Sequence, residues 1–201
     1  MLAVGLTGGI GAGKSRVADL MVERGAVLVD ADRVAREVVE PGAPAYQPLV
    51  DRFGVGILDV TGHIDRPALA ALVFDDSDAL ADLNAITHPV IGMVMVSRGD
   101  ECRLTDDIVV FDVPLLTPAH RGLLTLHVVV VVDCPLEIAS QRLIQERGMT
   151  SVEVASRIAV QPGREERCAG ADLVIDNSTT TEHLISEVDR VWACLTSWPV
   201  P

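Results

Sequence analysis

The chain has a single lysine. Arginine supplies 15 of its 16 basic residues against 29 acidic ones, and the formal net charge is −13. Such a shortage of positive charge argues against the broad basic face that nucleic acid or an anionic membrane would require. A small polyanion is not excluded, because it needs only a local cluster of cations. Aromatic residues make up 3% of the chain, so a core must rest on Val, Leu, Ile and Ala. The four cysteines, Cys102, Cys134, Cys168 and Cys194, form no C-x-x-C pair and have no histidine at zinc spacing. That spacing argues against a structural metal and for free thiols in a reducing compartment. No basic n-region precedes the first apolar stretch, which runs directly into glycines, so a secretory signal is not expected. The longest apolar stretch, residues 122–132, is interrupted by His127 and is too short to span a bilayer. A cytoplasmic protein is expected.

What is present fits one globular domain, or one domain carrying an insertion: 201 residues, 49% hydrophobic and 22% charged. Five short β-branched runs occur at Leu2–Leu6, Ala26–Val29, Ile108–Phe111, Val128–Val132 and Leu173–Ile175. None alternates, as expected of parallel strands buried on both faces. Amphipathic stretches lie between them. Ser15–Arg24 puts Val17, Leu20 and Met21 on one side, and Leu136–Arg147 follows Pro135. Thr150 with Glu153, and Thr179 with Glu182, have the spacing of capping boxes. Strands alternating with helices predict an α/β fold with a five-stranded parallel sheet. Residues 33–106 break the rhythm with Pro41, Pro44, Pro48, Pro67 and Pro89 and no convincing strand. They read as a helical insertion for an acceptor substrate. The core is then 1–32 and 107–201.

The chemistry concentrates after the first run. Gly8-Gly9-Ile10-Gly11-Ala12-Gly13-Lys14-Ser15 has the G-x-x-x-x-G-K-S pattern between a predicted strand and a predicted helix. Glycines let backbone N–H groups turn inward onto phosphates, and the helix N-terminus adds partial positive charge. The one lysine, Lys14, sits where the β- and γ-phosphates need a compact ammonium. The Ser15 hydroxyl is the expected Mg²⁺ ligand, and Gly8, Gly9, Gly11, Ala12, Gly13 and Arg16 complete the expected ATP contacts. A regulatory GTPase is the main rival. Asp59-Val60-Thr61-Gly62 matches D-x-x-G, but a guanine-reading N-K-x-D is impossible in a chain whose only lysine is in the loop. Asp59–Gly62 reads as a turn.

Asp30-Ala31-Asp32 comes after the second run, at the strand end where ligands meet open α/β sheets. These carboxylates either cap the next helix or accept a proton from an acceptor hydroxyl. Ile108–Phe111 followed by Asp112 resembles a Walker B strand, and Asp112 is a weaker metal candidate.

Taken together, G-L-T-G-G-I-G-A-G-K-S at 5–15, D-A-D at 30–32, A-R-E-V-V-E-P-G at 35–42, L-N-A-I-T-H-P at 83–89, V-P-L-L at 113–116 and V-I-D-N at 174–177 resemble the dephospho-coenzyme A kinase family. The resemblance runs from about residue 2 to residue 190. It implies a P-loop kinase fold and transfer of the ATP γ-phosphate to the 3′-hydroxyl of dephospho-coenzyme A, the last step of coenzyme A synthesis. It further implies that Asp32 is the catalytic carboxylate. Within the core it implies a helical lid at about 136–168, whose arginines, Arg142 first among them with Arg147, Arg164 and Arg167, close over the transferring phosphoryl group. His88-Pro89 would make a corner within the insertion. The chain departs from the family pattern at Arg16, at Thr117-Pro118 and at Pro162, which comes directly after Gln161 and disfavours helix there. A same-fold kinase for another acceptor, and a nucleotide-binding regulator without turnover, are the remaining alternatives.

Overall fold

The computed structural model describes residues 1–199. Each apolar run becomes a strand: β1 (Leu2–Gly8), β2 (Val27–Asp30), β3 (Ile108–Asp112), β4 (Val128–Asp133) and β5 (Leu173–Asp176). They form one parallel sheet in the order β2-β3-β1-β4-β5. All residues of β1, β3 and β4 are buried, which explains why these runs do not alternate. The helices are α1 (Lys14–Glu23), α2 (Ala31–Glu37), α3 (Tyr46–Phe53), α4 (Arg66–Phe74), α5 (Ser77–Asp100), α6 (Pro118–Leu123), α7 (Leu136–Arg147), α8 (Ser151–Ala159), α9 (Arg164–Ala169) and α10 (Thr181–Thr196).

Two compact units emerge, Met1–Val29 with Gly99 onward, and Asp30–Arg98. In the first, Leu2, Val4 and Leu6 of β1 pack with Val17, Leu20 and Met21 of α1 and with Leu184, Val188 and Val191 of α10. The backbone carbonyls and amides of the central strands are spent on the sheet, so the ends of β1 and β4 are rigid platforms for the loops they carry. The capping box at Thr150 and Glu153 is present. The one expected at Thr179 and Glu182 is not. The N-cap is Thr180, whose hydroxyl accepts from His183 N at 3.2 Å, because the chain leaves β5 one residue later than the sequence spacing suggests.

In the second unit, Leu49, Ile57, Leu69, Val73 and Ala79 form a separate small core. Asp59–Gly62 is the turn expected: the Asp59 carboxylate accepts from Thr61 N and His63 N, and Leu58 bridges Ile64. The corner expected at His88-Pro89 is absent. Pro89 lies inside the 24-residue α5. Proline removes its own N–H from the ladder and crowds the carbonyl four residues back, but the long helical stretches on both sides carry the helix through it. By length and composition α5 could also cross a bilayer, but Ala79, Leu83 and Ile86 pack into the small core.

Candidate active site

β1 ends at Gly8, and the backbone turns through the loop into α1 at Lys14. Two loop positions need the backbone freedom of glycine, and at a third, Gly8, an added Cβ would lie 2.8 Å from the Val132 carbonyl oxygen. Gly11 and Gly13 have φ of 76° and 87°, the left-handed region that side chains disfavour. A Cβ on Gly11 would lie 2.7 Å from the Ala139 carbonyl oxygen, and one on Gly13 would meet the Asn177 side chain. Ala12 N donates to Gly9 O at 3.0 Å, closing the loop on itself. The Lys14 ammonium is paired with the Asp112 carboxylate at the end of β3, where both side chains are largely buried. The structure therefore brings together the lysine and the weaker of the two metal candidates. Ser15 and Arg16 lie exposed at the start of α1, and Arg16 is 3.6 Å from Glu23.

Side chains from elsewhere hold the loop. Asn177, just past β5, donates through Nδ2 to Ala12 O at 2.8 Å. Gln161, between α8 and α9, accepts from Ile10 N at 3.0 Å. Pro162 after it ends the helical run, so Gln161 stays out of any helix as its sequence context predicts, and its side chain is free to turn onto the loop. The Arg167 guanidinium covers Gly9, where an added Cβ would be 2.7 Å from Nη2.

The four lid arginines separate in role. Arg164 donates three hydrogen bonds of 2.6–3.0 Å to both oxygens of Asp133, at the end of β4. Those bonds hold the Asp133 carboxyl below the usual carboxylate range and push the guanidinium higher. Arg142 of α7 donates to Cys134 Sγ at 3.6 Å, and burial raises that thiol above its ordinary value. Arg147 is exposed at the end of α7. Arg167 lies against the phosphate loop at Gly9, and Arg164 lines a small cavity with Gly9, Ile10 and Ala12.

The Asp133–Arg164 pair makes a signed pH prediction. A carboxyl lowered in the folded state stabilises fully above its unfolded value, near 3.9, and the contribution fades as pH falls through the folded value. Arg164 is half exposed, so the effect is modest. Asp133→Asn should lower Tm by about 2–3 °C at neutral pH, and the gap to the parent should close below about pH 4 in thermal melts.

Beside the loop is a cavity of about 510 Å³ with mainly apolar walls, bounded by Thr7, Leu116, Thr117, Pro118, Arg121 and Arg167. The Thr117-Pro118 departure has a local rationale. Thr117 caps α6 in a reciprocal box with His120, and Pro118 takes the first helical position, where its missing N–H costs nothing.

In the second unit, Asp30 is the N-cap of α2: one oxygen accepts from Asp32 N at 2.8 Å and Arg33 N at 3.1 Å. The capping reading thus holds for Asp30. Asp32 is exposed in the first turn of α2, and among the described residues no side chain pairs with its carboxylate. Nor do three or more His, Cys, Asp or Glu gather as a metal cage among the described residues.

Sequence reasoning missed Asp133 and Asn177. Each ends a buried strand or comes directly after one, and a polar residue at the carboxyl end of a parallel strand was the available signal.

A family model described as dephospho-CoA kinase matches residues 2–183. A dephospho-CoA kinase from Streptomyces avermitilis is 50% identical over 97% of this chain and 94% of its own. One from Thermobifida fusca is 46% identical over 96% and 95%. Among solved structures, a Thermus thermophilus protein aligns with a TM-score of 0.79 at 32% identity, covering 96% of both chains. A dephospho-CoA kinase from Campylobacter jejuni shares the fold, with a TM-score of 0.69 at 23% identity over 96% of both.

Proposed function

The chain belongs to the dephospho-CoA kinase family and uses ATP to phosphorylate dephospho-coenzyme A in the last step of coenzyme A synthesis, and from that premise we propose which of its residues do the work. The observation that carries the assignment is the buried Lys14–Asp112 pair beneath a loop whose glycines have left-handed φ. Gly8, Gly9, Gly11, Ala12 and Gly13 present backbone N–H groups to the triphosphate, with Arg16 at the rim. Lys14 exchanges part of its contact with Asp112 for the β- and γ-phosphate oxygens. Ser15 and Asp112 would hold Mg²⁺, which when bound neutralises charge between those two phosphates.

Asp32 is the carboxylate that orients the 3′-hydroxyl and takes its proton as the oxygen attacks γ-phosphorus. The bond to the β,γ-bridging oxygen breaks, and ADP leaves with that electron pair. Arg142 and Arg167 spread over the equatorial oxygens of the phosphoryl group in flight, where positive charge counts most. The apolar cavity by Thr7 and Leu116 offers room for the acceptor's nucleoside, and residues 33–106 serve as its binding domain. The four scattered cysteines, with no C-x-x-C pair, favour a reducing compartment such as the cytoplasm.

The test is direct. Protein, Mg-ATP and dephospho-coenzyme A should yield ADP and coenzyme A, and no turnover above background at roughly micromolar enzyme would overturn the proposal. Asp32→Asn should lower kcat about a hundredfold with little change in either KM, since it removes a base and leaves the binding groups in place. A loss of less than threefold would remove Asp32 from the mechanism.

A further inference from the structure

Asn177 is 7% exposed, and both its backbone and its side chain are committed. Its N–H donates to Asp133 O at 2.8 Å, which fixes the residue to the end of β4. Its Nδ2 donates to Ala12 O at 2.8 Å, across 165 positions of sequence. The partner is a carbonyl, so the amide nitrogen and not its oxygen must face the loop.

This contact constrains the Ala12–Gly13 peptide. In a trans peptide the C=O of one residue and the N–H of the next share a plane and point in opposite directions. Turning the Ala12 carbonyl toward Asn177 therefore turns the Gly13 N–H away from it. Among the described residues nothing accepts from that N–H. Gly13 itself has φ of 87°, and a Cβ there would meet the Asn177 amide, so the loop is built around this contact. A buried amide that grips one carbonyl thus sets the direction of the next donor.

We propose that Asn177 is a positioning residue for ATP: by holding the Ala12 carbonyl outward, it aims the Gly13 N–H at the phosphates before nucleotide arrives. The proposal rests on the reading of Gly8–Ser15 as the ATP loop. Asn177 does not touch the reacting atoms, and its effect runs through the Ala12–Gly13 peptide. Without it that plane can rotate, and one phosphate donor must be ordered at the expense of binding.

Two variants test this. Asn177→Ala should raise the ATP KM about tenfold while leaving the KM for dephospho-coenzyme A within twofold. Asn177→Asp is of nearly the same size but presents an ionised oxygen to a carbonyl oxygen, and it should impair ATP use more. A protonated carboxyl can donate where the amide did. The Asn177→Asp deficit relative to the parent should therefore shrink as pH falls, a profile that simple loss of packing would not give. Should Asn177→Ala not fold, Asn177→Asp carries the test alone.

An unchanged ATP KM in the folded variants would overturn the proposal, as would equal increases in both KM values or a deficit of Asn177→Asp that ignores pH. Lys14→Ala run in parallel keeps the two readings apart. If it loses ATP use while the Asn177 variants do not, only the Asn177 inference fails. If it keeps ATP use, the loop assignment itself is wrong.

Discussion

Lys14→Ala should reduce kcat/KM by about three orders of magnitude, the scale on which cationic clamps contribute to phosphoryl transfer. Two effects combine. The ammonium that neutralises charge growing between the β- and γ-phosphates is lost. Asp112, 5% exposed, also loses its ammonium partner, which lowers stability. The second effect can be separated from the first. Lys14→Ala combined with Asp112→Asn removes the buried charge as well as its partner. This double variant should recover part of the lost Tm and none of the lost activity. Lys14→Arg should not rescue either, because a planar fork cannot replace a compact ammonium at this depth. Steady-state kinetics with calorimetric melts check all three. Activity within tenfold of the parent in Lys14→Ala would dismantle the mechanism.

The second large effect is expected at Gly13. Gly13→Ala must hold alanine at a φ of 87° and places its Cβ against the Asn177 amide. The backbone term alone costs about 1–2 kcal/mol. The clash then forces the loop, and not a flexible surface, to give way. The ATP KM should rise at least about a hundredfold, with secondary structure by circular dichroism unchanged. Gly25→Ala is the matched control. Its φ is 102°, yet nothing lies within 4 Å of an added Cβ. It should lower Tm by a few degrees and leave nucleotide kinetics alone. If the two variants behave alike, the loss at Gly13 is general strain and not the shape of the loop.

Legibility in the sequence was uneven for physical reasons. The phosphate loop and the five strands could be read because each is a local signal: glycines at fixed spacing, and β-branched runs buried on both faces. Strand ends moved by one or two residues, as at β1, which runs on to Gly8. The turn at Asp59–Gly62 and the cap at Thr150 were likewise local. The features that failed or stayed hidden depend on distant partners. Pro89 reads as a break until the length of apolar helix on both sides of it is seen. Asp133 reads as the end of a valine run until Arg164, 31 residues on, reaches back to it. Asn177 stands in the sequence only as the last residue of V-I-D-N, and nothing local links it to Ala12, 165 positions away. Arg142 and Arg167 cannot be ranked from spacing alone. The contacts place one at Cys134 and the other at Gly9.

The solitary lysine has a practical corollary. An amine-selective acylating reagent finds one ε-amine in the whole polypeptide, and it is clamped to Asp112 at the phosphate loop. Apart from the chain's own α-amine, every covalent mark would report that one location. Bound triphosphate should shield it, so the labelled mass of the intact polypeptide becomes a direct gauge of occupancy, with no need for a fluorophore or an engineered handle.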